Sequence, residues 1–230
     1  MSDELIDLLR SKRADMVGVA DLRSIAPNIR YNLMFGISIA VALAPDIIAG
    51  IREGPNWQYY NEYKRANNLL DTLGRYAVRF LQEKGQKAQW LAATNTGINW
   101  ETLSTHLPHK TIATRAGLGW IGKSALLVTR EFGSAVRLTT VLIDAEFPVG
   151  EPVDISRCGD CSECVDACPS HAIPGINWSV GIPRDSIYDA FAYIKTAREF
   201  EEIREGVHDN ICGICIAVCP WTRKYIERPT

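Results

Sequence analysis

Seven cysteines are the most specific chemical feature of this chain, and all of them lie in its last third. They form two runs, C-x2-C-x2-C-x3-C-P at residues 158–169 and C-x2-C-x3-C-P at residues 212–220. The first spacing is typical of bacterial [4Fe–4S] modules. Zinc sites use pairs of cysteines, so three equally spaced cysteines followed by a fourth favour iron–sulfur chemistry over zinc.

The spacing also predicts which thiolates share a cluster. Two-residue gaps let three consecutive cysteines bind one cube, whereas the cysteine after the three-residue gap reaches the other cluster. We therefore expect the first cluster to be held by Cys158, Cys161, Cys164 and Cys219. The second cluster is expected to be held by Cys168, Cys212 and Cys215.

This assignment leaves the second cluster one cysteine short. When the second run is extended backward in the same register, Asp209 stands where a cysteine is expected. Asp209 could bind iron through a carboxylate oxygen, or another side chain from the 185–193 segment could do so. Alternatively, the corner has no protein ligand, which gives a [3Fe–4S] cluster or an exposed iron, and Asp209 is an ordinary surface acid.

Composition and charge limit the cellular compartment and the binding partners that we expect for this protein. An odd number of cysteines does not suit a closed disulfide framework, and the N-terminal residues show no signal-peptide pattern. The longest uncharged run, Tyr31–Pro45, has 15 residues, whereas a transmembrane helix needs about 20. We therefore expect a protein of the reducing cytoplasm without a membrane partner. A net charge of −2 argues against electrostatic capture of nucleic acid.

Hydrophobic periodicity predicts the elements that position these cysteines. Helices are expected over residues 3–13, 59–84, 111–116 and 185–204. Strands are expected over residues 16–22, 33–44, 87–94, 124–129 and 134–144. The prolines and glycine of residues 148–152 mark a linker. We expect an α+β body over residues 1–150, which binds cofactor and substrate, and a ferredoxin-like double-cluster domain over residues 151–230.

A glycine-rich segment, residues 117–124, matches both G-x-G-x-x-G and G-x-x-x-x-G-K-[ST]. A phosphate loop needs a strand before it and a helix after it, but here the predicted order is reversed. The segment is therefore not expected to bind a nucleoside triphosphate. It is either a structural turn or a place where the backbone approaches a flat or anionic cofactor. The candidate cofactor-binding residues are Gly117, Gly119, Trp120, Gly122 and Lys123.

Two histidines stand close together before this segment. His106 and His109 bracket a Leu-Pro pair and are followed by Lys110. Histidine changes charge near neutral pH and commonly acts as an acid or base. We expect these side chains to face a polar pocket as ligand donors or general acids; the alternative is a pair of surface histidines.

The motifs together resemble a known family. AGLGWIGK (116–123), a strand pair ending in VLID, CGDCSECVDACPSHAI and CGICIAVCPW occur in this order, as in the epoxyqueuosine reductase-like iron–sulfur proteins. That family is related to the reductive dehalogenases, and the resemblance covers roughly residues 15–225. It implies a nitroreductase-like α/β body followed by a bacterial ferredoxin-like double-cluster module. It also implies cobalamin in the body, which receives electrons from the clusters.

The chain departs from the family in three respects. The family's catalytic aspartate falls on Leu103, with Glu101 as the nearest acid. The cysteine that related chains carry between the two runs falls at Tyr193 or Ser186, which makes these residues rivals of Asp209 as the last cluster ligand. The helical-repeat extension that helps to hold tRNA does not follow the CPW motif. The resemblance therefore predicts a short paralogue whose substrate is not tRNA.

Two functions follow from these observations. The first is a reductase that takes electrons from a low-potential donor and reduces a small-molecule or protein-bound substrate near residues 101–124. Its second cofactor would be cobalamin, with a flavin or no second cofactor as alternatives. The second function is an electron carrier or activator that docks on a partner protein through the cysteine-bearing region. Residues 158–230 carry seven Lys/Arg and eleven Asp/Glu.

Overall fold

The computed structural model describes residues 1–94 and 97–228, which form six strands and nine helices. The strands are β1 (Met16–Asp21), β2 (Phe35–Ala42), β3 (Ala88–Leu91), β4 (Trp120–Ile121), β5 (Leu127–Val128) and β6 (Val136–Ile143). The first helices are α1 (Ser2–Ser11), α2 (Pro45–Ala49), α3 (Trp57–Glu83), α4 (His109–Arg115) and α5 (Glu163–Asp166). The later helices are α6 (Arg184–Ile187), α7 (Ala190–Ile203), α8 (Ile214–Val218) and α9 (Pro220–Ile226). The chain is thus a mixed α/β protein, as predicted.

The helix predicted over residues 185–204 is divided in two. Tyr188 has an extended backbone, with φ −163° and ψ 122°, and it separates α6 from α7. The carboxylate of Asp189 then caps α7 by accepting hydrogen bonds from the backbone N–H groups of Phe191 and Ala192, each at 2.9 Å. A side-chain cap of this kind satisfies N–H groups that a new helix leaves without partners.

The described residues divide into two compact units, each assembled from three segments of the chain. The first unit contains residues 1–42, 66–118 and 137–153. The second contains residues 43–65, 119–136 and the chain from residue 154 onward. The sequence predicted a single boundary at residue 150. The cysteine-bearing unit instead includes two segments from well before that position.

The first unit is built on a four-stranded sheet with the order β1-β2-β6-β3. The β1–β2 and β3–β6 pairs are antiparallel. All residues of β2 except the last are buried, which agrees with the largely apolar sequence of this strand, in which Ser38 is the one polar residue. Helix α4 packs against β1 and β2, and α1 packs against β1.

The second unit contains short helices and one β-hairpin. Helix α5, from the first cysteine run, packs against α8, from the second run, and α2 packs against both α8 and α9. Strands β4 and β5 pair as the antiparallel hairpin, with Trp120 opposite Val128. No helix within residues 1–94 and 97–228 is long and apolar enough to cross a bilayer.

Gly74 lies inside α3, where glycine is normally unfavourable. A Cβ atom at this position would collide with the indole of Trp90 on β3. The indole cannot move away freely, because its Nε1 donates a hydrogen bond to Thr139 Oγ1 at 2.9 Å. The glycine therefore allows β3 and the residue 66–83 part of α3 to approach closely.

We expect Gly74→Ala to destabilise the protein even though alanine is the better helix former. Overpacking costs about 1–3 kcal/mol, and the gain in helix propensity offsets about 1 kcal/mol of that cost. Chemical denaturation should show a net loss in the free energy of unfolding. Asn68→Ala, at an exposed position of the same helix, is the matched control. Unchanged or increased stability of Gly74→Ala would contradict the interpretation.

Candidate iron–sulfur site

All seven cysteines lie in the second unit, and each is a partly buried free thiol. Short helices and turns present them. Cys164 lies in α5 and Cys215 lies in α8, and these two helices pack against each other. Cys219 separates α8 from α9, whose first residue is Pro220. Proline at this position fixes the direction of the chain immediately after the last thiol.

The structure places Cys219 with the thiols of the first run. Burial raises the pKa of Cys164 to about 12, and the nearby charges of Cys158, Cys219 and Cys161 contribute to the increase. Burial also raises the pKa of Cys219, and the charge of Cys158 adds to this effect. These four thiols are the ones that the spacing assigns to the first cluster.

Cys168 lies with the thiols of the second run. Burial raises the pKa of Cys212, and the charge of Cys168 raises it further. The pKa of Cys215 is raised by burial and then by the charges of Cys212, Cys164, Cys168 and Cys219, so the thiols of both predicted sets are neighbours. Cys168 is thus close to Cys212 and Cys215, and the division of the seven thiols between two clusters stays a prediction.

This donor set fits iron–sulfur clusters. Buried thiols that raise one another's pKa values stay protonated at neutral pH unless a cationic centre stabilises the thiolates, and metal coordination does so. Among the described residues, no three His, Cys, Asp or Glu side chains converge on a position that suits one metal ion.

The three predicted candidates for the eighth ligand lie in different surroundings. The carboxylate of Asp209 is 3.6 Å from Lys64 Nζ, and its side chain is 38% exposed. The hydroxyl of Tyr193 donates a hydrogen bond to the carbonyl oxygen of Asn210 at 3.0 Å. Ser186 is exposed on α6. Asp209 thus already has a cationic partner.

A further phenol, Tyr188, belongs to the 185–193 segment in which a ligand was predicted, although the sequence singled out only Tyr193 and Ser186 there. Burial raises its pKa, and the charges of Cys215 and Cys168 raise it further. Its ring lies 5.8 Å from that of Tyr193, and burial likewise raises the pKa of Tyr193 well above its ordinary value. Two phenols therefore accompany the second set of thiols. Only the break between α6 and α7, which a sequence pattern does not reveal, places Tyr188 there.

The glycine-rich segment does not form a phosphate loop. Helix α4 precedes it, and the β4–β5 hairpin, not a helix, follows it. Gly117 has a φ of 75°, and a Cβ atom there would lie 2.7 Å from the carbonyl oxygen of Glu151. At Gly119 a Cβ atom would collide with the carbonyl oxygen of Val128. Both glycines are therefore required by close backbone contacts.

The last three candidates of the segment lie near the first cysteine run. Trp120 is almost fully buried, and its ring lies 5.0 Å from that of Trp221. A Cβ atom on Gly122 would lie 3.5 Å from Cys158 Sγ. Lys123 is buried and donates a hydrogen bond to the carbonyl oxygen of Cys161.

The first unit contains a cavity of about 300 Å³. His106 lies in its wall, where Nε2 donates a hydrogen bond to the carbonyl oxygen of Asn28 at 3.3 Å and the ring contacts that of Tyr31 edge-on. The lining residues are Tyr31, Trp90, Leu91, Ala92, Gly97, His106 and Leu107. This wall is about equally polar and apolar and contains two aromatic side chains and an imidazole, so it could hold a small molecule with both kinds of surface.

His109 occupies a different environment from His106. Its Nε2 donates to the carbonyl oxygen of Ala92 at 2.9 Å, so Nδ1 accepts the hydrogen bond from Thr140 Oγ1 at 2.8 Å. Burial lowers the pKa of His109 to about 4. The ring is therefore neutral with both nitrogens engaged, which indicates a structural role.

The other two catalytic candidates are Glu101 and Lys110, which precede and follow His106 and His109 in the chain. Glu101 is exposed, and its backbone N–H donates to Asn99 Oδ1 at 2.9 Å. Lys110 lies in the first turn of α4 and is partly buried. Leu103, where the family resemblance places an aspartate, has a φ of 47°. Of the four candidates, only His106 is among the described residues that line the cavity.

Comparison with known proteins agrees with this geometry. Residues 157–222 match the family described as 4Fe-4S double cluster binding domain. The epoxyqueuosine reductase of Pseudomonas aeruginosa is 38% identical over 123 residues, which are 53% of this chain and 33% of that protein. The epoxyqueuosine reductase of a Synechococcus species is 26% identical over 228 residues, covering 96% of this chain and 65% of that protein.

Solved structures show the same fold. A catabolic reductive dehalogenase matches with a TM-score of 0.68 at 18% identity, over 91% of this chain and 30% of that one. Epoxyqueuosine reductase from Streptococcus thermophilus matches with a TM-score of 0.58 at 18% identity, over 97% of this chain and 66% of that one. The chain spans about a third to two thirds of the length of the curated relatives named above. The predicted resemblance to epoxyqueuosine reductase-like iron–sulfur proteins is confirmed.

We expect the two phenols, and not Asp209, to influence the second cluster. Tyr188→Phe and Tyr193→Phe should each alter the EPR spectrum of the dithionite-reduced protein, because each removes a hydroxyl beside these thiols. Asp209→Asn should leave the spectrum unchanged. Tyr76→Phe, at an exposed position on α3, is the matched control. A spectrum altered by Asp209→Asn alone would contradict this expectation and identify the carboxylate as the ligand.

The buried neutral state of His109 predicts a pH dependence of stability. Its folded pKa of about 4 lies below the ordinary value of 6.5, so the stabilisation is present above pH 6.5 and is lost as the pH falls toward 4. By pH 5 the loss should reach about 2 kcal/mol, since one pKa unit corresponds to about 1.4 kcal/mol.

Comparison of the wild type with His109→Gln isolates this contribution. Free energies of unfolding measured from pH 7.5 to 5 should decline less steeply for the variant, and any acid loss of clusters is common to both proteins. His208→Gln, at an exposed position, should decline like the wild type. Equal slopes for the wild type and His109→Gln would show that the imidazole is not buried in its neutral form.

Proposed function

We propose that this chain is an iron–sulfur oxidoreductase that reduces a small-molecule substrate held by its first unit. The observation that carries the proposal is the collection of seven partly buried free thiols within the second unit, where thiols of the two runs lie close to one another. The match to a double cluster domain supports the same interpretation. Clusters bound by these thiols would supply single electrons taken from a low-potential donor.

The first unit supports a substrate site. Its cavity, at about 300 Å³, is at the lower end of the range for pockets that enclose drug-sized ligands. The size suits a small molecule or a protein-bound group and not a tRNA stem-loop. Tyr31 and Trp90 offer aromatic surfaces for a flat substrate, and His106 can donate a proton to the reduced product.

Cobalamin is the second cofactor that the relatives suggest, because one of the matching solved structures is described by a mechanism for B12-dependent dehalogenation. The residues around the cavity do not fit this group. A corrinoid is far larger than the ligands that such a volume encloses, so we assign the cavity to the substrate. A flavin is also too large for it. We further propose that the first unit is nitroreductase-like, which its helix-flanked sheet with two antiparallel pairs supports.

Anaerobic reconstitution with iron and sulfide tests the proposal. The chain should bind seven or eight irons, and after electrochemical reduction a panel of halogenated, nitro and epoxide compounds should include one that reoxidises it catalytically. Absorption spectra after incubation with cobalamin or flavin would show whether either binds.

His106→Gln should lower turnover of that compound about 100-fold, the lower limit for loss of a general acid, with iron content unchanged. Glu101→Gln, at a nearby exposed position, should retain activity. If no compound reoxidises the reduced protein but a redox partner protein does, the chain is an electron carrier or activator. The acidic composition of residues 158–230 would then mark the docking surface.

A further inference from the structure

The β4–β5 hairpin lies beside the chain that presents the first set of thiols. Its turn is closed by a hydrogen bond from Gly122 N–H to the carbonyl oxygen of Leu126 at 2.9 Å. A Cβ atom added at Gly122 would lie 2.8 Å from Val128 Cγ2 and 3.5 Å from Cys158 Sγ. Gly122 therefore packs within the hairpin and also lies next to this thiol.

Lys123 is buried in the same hairpin, with only 7% of its surface exposed. Its Nζ donates a hydrogen bond to the carbonyl oxygen of Cys161 at 2.9 Å. Among residues 1–94 and 97–228, no carboxylate forms an ion pair with this ammonium group. Burial of a charge without a counter-charge is strongly unfavourable. Its hydrogen-bond acceptor belongs to Cys161, and the preceding Gly122 lies next to Cys158, so both contacts lead to residues predicted to bind the first cluster.

A [4Fe–4S] cluster bound by four thiolates provides that charge. The thiolates and sulfides together outweigh the positive charge of the irons, so the centre is anionic, and its net charge and surroundings set its reduction potential. Reduction adds one electron from an external low-potential donor, forms and breaks no bond, and makes the centre more negative. A fixed cation beside it therefore favours the reduced state.

We propose that Lys123 is the counter-ion of the first cluster and the positioning residue that sets its reduction potential. The proposal rests on the cluster-binding part of the proposed function and not on reduction of a substrate. The glycine-rich segment thus acts on the first cluster, although its sequence mimics a phosphate loop.

A second observation on the hairpin supports this role. Trp120 Nε1 is buried and has no hydrogen-bond partner among the described residues. Arg157 lies over the Trp120 ring at 5.7 Å, and Trp221, two residues after Cys219, contacts the ring edge-on. The hairpin therefore contains a buried N–H donor without a protein partner as well as a buried cation, and its tryptophan packs against residues that flank Cys158 and Cys219 in the chain. Low-dielectric surroundings of this kind strengthen electrostatic effects.

A redox titration monitored by EPR tests the proposal on the reconstituted full chain. Lys123→Gln should disfavour reduction of the first cluster about tenfold, a shift of about 59 mV to more negative potential for one electron. The second cluster should keep its potential. Cys161→Ser, which alters a ligand of the first cluster, assigns the two titration waves. Lys123→Arg should restore the wild-type wave, and Lys195→Gln, at an exposed position of the same unit, should change nothing.

Iron and sulfide content separates the outcomes. If the wild type binds no clusters, the proposed function itself fails. If Lys123→Gln binds the full complement and neither wave moves, or both waves move equally, Lys123 does not set the potential of the first cluster. If Lys123→Gln loses the first cluster, the Lys123→Arg variant distinguishes the two explanations. A first cluster that Lys123→Arg retains with the wild-type potential supports the counter-ion role, and loss of this cluster from both variants overturns it.

Discussion

Buried thiols that must be ionised to work are the constraint around which the second unit is organised. Burial raises the pKa of Cys164, Cys212, Cys215 and Cys219, and in each case a neighbouring thiol raises it further. The thiolates need positive charge, which bound iron supplies, and the resulting anionic centre in turn needs compensation. The buried ammonium of Lys123 meets that need on the side of the first thiol set. The short helices, the proline after Cys219 and the β4–β5 hairpin can all be understood as means of holding these charges together.

The sequence predicted what depends on local spacing. The two- and three-residue gaps predict that cysteines of both runs lie close together, and the largely apolar run predicts the buried strand β2. Contacts between distant residues could not be predicted in this way. Lys123 and Cys161 are separated by 38 positions, and the phosphate-loop pattern suggested a different partner for the lysine. Residues 43–65 and 119–136 belong to the same unit as the cysteines, and no pattern in the sequence predicts this.

The two histidines show how one short motif can serve two purposes. His106 precedes α4 and lies in the cavity wall, whereas His109 begins the helix and has both ring nitrogens engaged. Their spacing suggested a shared role in one polar pocket. The start of the helix between them separates their side chains, and the neutral ring of His109 links Ala92 to Thr140 within the first unit. Gly74 is a similar case. In the sequence it weakens the helical pattern, but in the fold it makes room for the indole of Trp90.

The exchange of a cysteine between the two runs has a consequence for the lifetime of the protein in air. Each predicted set of thiols draws on both runs, which the packing of α5 against α8 allows. Oxidative loss of one centre would release a thiol that anchors the opposite run and loosen the ligands of its neighbour. The two clusters would therefore be lost and rebuilt together, and a protein that carries only one of them would be short-lived.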